Sequence, residues 1–500
     1  MNIPVQRPAP LPDGLVVVVK RDCATCVMVA PLLIDLGATV YTQDDPKFPD
    51  GVAAIHDHFP RSRPMTTAPT HAPERVLRNG PTIVPVRAAT PPAGRLSLLE
   101  PLGRRLVLGA LARLTFGRVT LIDPQGRYES AASPGPACVV RVRDSRFYGA
   151  IARRGSLGVA EAYMDGLWET DDLPALIETL TVNASALSSM HGPLTVLSRR
   201  LNRLRYFLER NTRSGSRRNI RAHYDLSNEF FAIFLDPSMT YSCAIFENGA
   251  STLAEAQLEK IDRACRKLAL RPSDHLLEIG TGWGAMAIHA ASRYGCRVTT
   301  TTISDRQYDL AAQRIHAAGL TDRITLVKQD YRTLTGTFDR LVSIEMIEAV
   351  GAENFDAYFR ACSRLLKPEG AMLLQSIIIR DQAFAAASKD RDFLKKYIFP
   401  GSCLPSVHAM LSSITSVTDL RTWHMEDIGP HYVTTLAQWR AAFLSRLDEV
   451  RALGLDDRFI RMWEYYLSYC EGAFRARHVG DVQMLLTKPL YRGPAPGLQP

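Results

Sequence analysis

The sequence predicts an α/β fold built around a nucleotide-binding strand–turn–helix unit, with a small α+β module before it and a separate segment at the N-terminus. Three observations carry this. From Asp274 through Ile288 an apolar run ending in Glu278 breaks into glycines at alternate positions, Gly280, Gly282 and Gly284, then resumes with helical spacing. Residues 95–198 mix helical and strand-like patterns. The first ninety residues carry a strand-like valine run and a Cys-x-x-Cys, and Pro91-Pro92-Ala93-Gly94 closes them off as a linker. Five hundred residues with 46% apolar side chains are enough for two or three cores.

In chain order, residues 1–92 form the first unit. Leu15 to Lys20 reads as a strand, Cys23-Ala24-Thr25-Cys26 opens a helix that reaches Leu36, and Ala38 to Tyr41 reads as a second strand. A Cys-x-x-Cys where a strand feeds a helix resembles a thioredoxin-like redox site, with Thr82-Ile83-Val84-Pro85 similar to the proline segment facing those cysteines. The helix N-terminus would make Cys23 the attacking thiolate. In 95–198, Leu98 to Leu114 has helical periodicity, Arg118 to Tyr128 reads as strand, turn and strand, and Val139 to Arg143 alternates like a half-buried strand. Residues 199–222 are a basic linker, and 223–490 form the catalytic domain.

Composition narrows the function classes. No apolar run approaches the ~20 residues of a spanning helix, and the first residues lack the apolar core of a signal peptide. Nine scattered cysteines point to reduced thiols and a cytoplasmic location. The formal net charge is +9, and nine arginines between Arg199 and Arg221, opposed only by Glu209, account for +8 of it. No nucleic-acid-binding motif accompanies the block, so its expected partner is the anionic surface of a phospholipid membrane at its inner face, with the protein peripherally attached.

The glycine unit selects among cofactors. A dinucleotide fingerprint has G-x-G-x-x-G and an acid about 20 residues on. Here the spacing is G-x-G-x-G, and the next strand, Arg297 to Thr302, ends without an acid. The pattern resembles motif I of class I S-adenosylmethionine methyltransferases. The free N–H groups of the following helix suit a carboxylate such as that of the methionine.

From His223 onward the resemblance sharpens. His223-Tyr224-Asp225-Leu226-Ser227-Asn228-Glu229-Phe230-Phe231, Tyr241-Ser242-Cys243, Glu345-Met346-Ile347-Glu348-Ala349-Val350-Gly351, Tyr397 to Ser406, His431-Tyr432-Val433 and Tyr469-Cys470-Glu471-Gly472 are similar to segments of the cyclopropane-fatty-acyl-phospholipid synthases and mycolic acid cyclopropane synthases. The resemblance covers residues 95–490, including Gly155 to Trp168. It implies a Rossmann-like methyltransferase sheet with a helical lid, S-adenosylmethionine as methyl donor, a phospholipid acyl chain as substrate, and a homodimer.

That chemistry is demanding. A cis alkene attacks the sulfonium methyl, leaving a carbocation that water would trap, so the site must be dry and must hold a base beside the new methyl. The resemblance implies a bound bicarbonate as base, held by Cys243, Glu348 and Tyr432, with Glu348 orienting it. Gln375 stands where the bacterial synthases carry a histidine. It keeps hydrogen-bonding capacity but no charge, which leaves the product open between a cyclopropane and a methyl- or methylene-branched chain. Cys470 is the cysteine marked as active site in the family, although no step needs a thiol nucleophile. Cofactor contacts implied by the resemblance are Tyr241, Ser242, Glu278, Gly280, Gly282, Trp283, Gly284, Thr302, Ile303 and Gln307, with Asp330 and Tyr331 flanking the adenine. A reading from another class is a redox-responsive protein using Cys23 and Cys26 on an inert methyltransferase fold; the intact glycines and Glu348 speak against it.

Overall fold

The computed structural model describes residues 99–131, 133–188, 226–247 and 252–494, together with the backbone of three short N-terminal strands. The chain divides into two compact units, Met1–Thr82 and Ile83–Pro500. In the first, β1 (Val16–Val19), β2 (Thr39–Thr42) and β3 (Ala54–His56) pair in parallel in that order. Strands fall on the valine run and beside Ala38 as expected. Cys23, Cys26, the helix expected after them and Thr82–Pro85 lie outside the described residues, as does the Arg199–Arg221 block.

In the second unit, residues 99–188 form the α+β module. After α1 (Leu99–Leu111) comes a four-stranded sheet of order β5-β4-β6-β7. Its strands are β4 (Arg118–Asp123), β5 (Gly126–Glu129), β6 (Ala137–Val142) and β7 (Trp168–Thr170). The β4–β5 hairpin turns on Asp123, whose Oδ1 accepts from the N–H groups of Gln125 and Gly126. Helices α2 (Arg146–Arg154), α3 (Ser156–Met164) and α4 (Leu173–Val182) complete the module, with Asp172 capping α4 by accepting from the Ala175 N–H.

The catalytic part opens with α5 (Asn228–Ala232) and α6 (Leu253–Lys267), the latter begun by a reciprocal Thr252/Glu255 capping box. A seven-stranded sheet then runs β10-β9-β8-β11-β12-β14-β13. The first five in that row, β10 (Ile324–Lys328), β9 (Arg297–Thr302), β8 (His275–Ile279), β11 (Phe338–Ile344) and β12 (Leu366–Ile379), are mutually parallel. β14 (Val479–Thr487) runs against its neighbours β12 and β13 (Arg421–Asp427). Helices α7 (Ala285–Tyr294), α8 (Asp305–Ala317), α9 (Phe355–Leu365) and α10 (Val407–Val417) follow the strands. The interior strands are largely buried, including β9 with its run of four threonines, as parallel strands covered on both faces are.

Two long helices, α11 (Gly429–Ser445) and α12 (Asp457–Arg475), join the module to this sheet. Tyr163 donates to Glu464 at 2.9 Å, Arg461 lies over the Tyr163 ring at 4.0 Å, and Tyr397 donates to Glu161 at 2.8 Å. Gly472 is where α12 meets α4: a Cβ there would lie 2.7 Å from Ile177 Cβ and 2.8 Å from the Pro174 carbonyl oxygen. Module and catalytic part therefore share one aromatic core, with Trp168, Phe230, Trp439 and Trp463 fully buried in it.

Candidate active site

The strand order reverses at β8, with β9 and β10 added on one side and β11 on the other. In open α/β sheets the carboxyl ends at such a reversal form the ligand crevice. A cleft lies there, and the residues assigned to the cofactor from sequence line it, Gly284 excepted. Gly282 has φ +52 and a Cβ built on it would meet nothing within 4 Å, so the turn is kept bare on its open side. Gly284, at φ +91, caps α7, and a Cβ there would face Ala311 at 3.5 Å.

Glu278 closes β8. Its Oε2 accepts from Thr300 Oγ1 at 2.5 Å, a partner delivered by the β8–β9 register. Burial pushes its pKa up to about 8, against the smaller opposing effects of the Thr300 hydrogen bond and the Lys260 charge. A buried acid at a cleft mouth suits an ammonium group, whose charge would complete it. Trp283 is fixed by donation to Asn228 Oδ1 at 2.8 Å and by Phe231, 5.1 Å between ring centroids. Thr302 donates to Gln307 Oε1 at 2.9 Å, Ser304 caps α8, and Arg332 holds Asp330 through both carboxylate oxygens, at 2.9 and 2.6 Å. Sequence reasoning missed Arg314, which donates to the carbonyls of Trp283 and Ser238 at 2.9 and 2.8 Å and so braces the glycine turn.

The base site differs from expectation. Three of the four residues expected around bicarbonate come together, but around the carboxylate of Glu345. The Cys243 N–H donates to Glu345 Oε1 at 2.8 Å, Gln375 Nε2 donates to the same oxygen at 2.9 Å, and the Tyr432 hydroxyl donates to Oε2 at 2.7 Å. With those donors taken, the residues present do not fit a bound bicarbonate. Glu348 stands apart from the set. Its Oε1 accepts from Ser376 Oγ at 2.9 Å and from the Ile377 N–H at 2.6 Å, while its buried Oε2 finds no partner. Burial first, then the Glu345 charge, push Glu348 up to about 8, so near neutrality it is an acid.

The surroundings of Glu345 come from far along the chain. Gln483 on β14 donates to Gln375 Oε1 at 3.1 Å and Lys267 donates to Gln483 at 2.8 Å, which fixes the amide with its nitrogen toward Glu345. Gln375 Nε2 also donates to Asp481 at 3.1 Å. Asp481 is fully buried, and burial followed by Glu345 raises its pKa well above the carboxylate range. Lys260, buried on α6, donates to Ser242 Oγ at 2.5 Å; its pKa is lowered by burial, with Glu345 foremost among the charges that oppose the shift. Aromatic rings cover the rest: Tyr241 lies 5.3 Å from Trp439, and its hydroxyl meets that of Tyr466 at 2.6 Å. Lys260, Asp481 and Gln483 carried no motif in the sequence, and the charged neighbours of Lys260 give no sign that it is buried.

Burial favours the protonated thiol at both cysteines. The Cys243 thiol donates to the Ala244 carbonyl at 3.3 Å, and burial raises its pKa well above the usual thiol value. Cys470 packs against the α12 core, does not line the cofactor cleft, and burial raises its pKa too. The seven cysteines among the described residues are all free.

The family model described as mycolic acid cyclopropane synthetase matches residues 211–484. The chain is 38% identical over 361 residues to the cyclopropane-fatty-acyl-phospholipid synthase of Escherichia coli (strain K12), covering 71% of this chain and 89% of that protein. It is 37% identical over 379 residues to a tuberculostearic acid methyltransferase of Mycobacterium tuberculosis (strain ATCC 25618 / H37Rv), covering 74% and 87%. A solved mycolic acid cyclopropane synthase, in complex with SAH and CTAB, superposes with a TM-score of 0.51 at 34% identity over 54% of this chain and 98% of that one.

Proposed function

The chain belongs to the mycolic acid cyclopropane synthetase family of S-adenosylmethionine-dependent methyltransferases, and on that premise we propose that it adds a methylene across the cis double bond of an unsaturated phospholipid acyl chain. The observation that carries the reading is a carboxylate, Glu345, lining the cofactor cleft and held by three donors among buried aromatic rings. A methyltransferase acting on an amine or hydroxyl has no need of so dry a setting, since its product is no cation that water could capture. An alkene acceptor does need one, because the chain carries a full positive charge between methyl transfer and proton loss. The ring of Tyr241, which lines the cleft and is backed by Trp439, favours that charge by cation–π attraction.

The cofactor supplies an electrophilic methyl; the chain's own residues bind and orient the reactants, exclude water and manage the proton. The glycine turn and Glu278 seat the methionine end, and Gln307, Asp330 and Tyr331 meet the nucleoside. No helix among the described residues is long and apolar enough to cross a membrane. In this reading the acyl chain is reached from a membrane surface, with the Arg199–Arg221 block attracting anionic headgroups at ~1 kcal/mol per basic residue.

Incubation with S-adenosylmethionine and vesicles of a cis-monounsaturated phosphatidylglycerol tests this, with the lipids read by mass spectrometry. The expected product gains one CH2 and loses its alkene. A product with one CH2 more and its alkene retained supports the second reading, a branched chain, which Gln375 and the likeness to the tuberculostearic acid methyltransferase favour. No lipid product from vesicles of any charge would refute both. Flotation at low and high salt checks the membrane step, and binding indifferent to salt and lipid charge would reassign the arginines.

A further inference from the structure

We propose that Glu345 is itself the base that removes the proton from the newly transferred methyl group, taking the place of a bound anion, so that turnover needs no bicarbonate. The inference rests on the alkene reading above and deepens it.

Two independent observations point to it. The first is the donor set already described: a main-chain N–H, an amide and a phenol all give their hydrogens to one side-chain carboxylate. Three donors converging on one carboxylate are what a pocket for a small planar oxyanion would offer, and here the occupant is covalently part of the chain. The second is the backbone. Glu345 has φ +47, one of four non-glycine residues among those described with positive φ. A residue with a Cβ is strained in the left-handed region, and such strain gathers at functional sites. The turn is held by the Glu345 N–H, which donates to the Gln375 carbonyl at 2.8 Å. It carries the side chain off the end of β11 and into the cleft, half-exposed there while Ile347 and Glu348 beyond it are buried.

The remaining charged groups agree. Glu348, Asp481, Cys243 and Tyr432 face Glu345, and each has its pKa raised with burial as the leading cause. Burial therefore favours the protonated form of each of these four groups, and Lys260 lies beside them, bonded to Ser242 Oγ. The step balances on these groups alone. The alkene π pair forms a bond to the methyl carbon, the carbon–sulfur pair stays on sulfur, and the positive charge passes to the neighbouring chain carbon. Glu345 then takes a proton from the new methyl, and the released C–H pair closes the ring. A proton beside a carbocation is so acidic that a hydrogen-bonded carboxylate is base enough. Ester formation, the hazard of a carboxylate near a cation, is opposed because both oxygens are already engaged by donors.

The wild-type enzyme should keep its full rate in buffer freed of carbon dioxide, with no gain when bicarbonate is returned. Glu345→Gln should lose on the order of 100-fold or more in turnover while S-adenosylmethionine affinity stays within a few-fold. Glu345→Gly suits the positive φ and empties the donor set; it should be slow and regain rate on adding bicarbonate or formate. A wild-type rate that falls on carbon dioxide removal and recovers with bicarbonate would overturn the proposal, even if neither variant folds. So would a Glu345→Gln enzyme within tenfold of wild type. Absence of any lipid product from the wild type would instead sink the alkene reading beneath it.

Discussion

Glu278 makes cofactor binding a proton-linked event. Burial holds this carboxyl at about 8, so at pH 7 some nine-tenths of the unliganded molecules carry it protonated. The ammonium of S-adenosylmethionine favours the ionised form, so binding expels the proton. Each pH unit below the raised pKa costs the complex about 1.4 kcal/mol, the work of ionising Glu278 first. Affinity should therefore rise about tenfold from pH 6 to pH 7, with close to one proton released per cofactor bound, and the slope should flatten toward pH 8. The window stops there because an α-amino group itself titrates near 7.7–8.0. Titration calorimetry in two buffers of different ionisation enthalpy reads the proton directly. Glu278→Gln should bind more weakly at pH 8 and lose both the proton release and the slope, which separates Glu278 from Glu348. A wild-type affinity flat from pH 6 to 7, with heats independent of buffer, would refute the pairing of Glu278 with the ammonium.

Three further perturbations have definite outcomes. Glu348, also raised to about 8, is an acid at neutral pH; ionising it beside Glu345 adds repulsion, so the wild-type rate should fall above about pH 8. Glu348→Gln should remove that limb while costing no more than about tenfold at pH 7, and a 100-fold loss there would return Glu348 to the reacting centre. Cys470→Ala should keep turnover within about threefold, because burial holds the thiol protonated and away from the cleft; a 100-fold loss would make the thiol chemical. Gly472→Ala should destabilise the fold by about 1–3 kcal/mol through overpacking against Ile177 and Pro174, read as a lower Tm, and an unchanged Tm would show that α12 and α4 separate easily.

The sequence made the cofactor half legible because its determinants are local. Glu278, the glycines and Trp283 sit within seven residues, and their order dictates strand, turn and helix. The family resemblance extended this to Thr302, Gln307, Asp330 and Tyr331, each at the end of a strand or the start of a helix that lines the cleft. The base half was legible only in part. Glu345 and Glu348 stand three residues apart in one motif, and nothing in their spacing says which faces the cleft; the sign of φ at Glu345 decides it. Gln375 read as a lost charge, yet its partner across β14 is Gln483, a pairing set by strand register 108 positions away. Lys260 and Asp481 were hidden because nothing local marks them: Lys260 reads as one more charge on an amphipathic helix, and Asp481 follows Gly480 near the start of β14.

The central claim is that a base on the enzyme takes a proton from the transferred methyl after an alkene has accepted it. Supplying S-adenosylmethionine with a fully deuterated methyl group to the purified enzyme and cis-monounsaturated phospholipid, then measuring the isotope content of the product, tests it most directly. The account predicts a product lacking its alkene and carrying two of the three deuteriums, the third having been lost as a deuteron. A product that retains all three would contradict it, because the proton would then have left the lipid chain and not the new methyl.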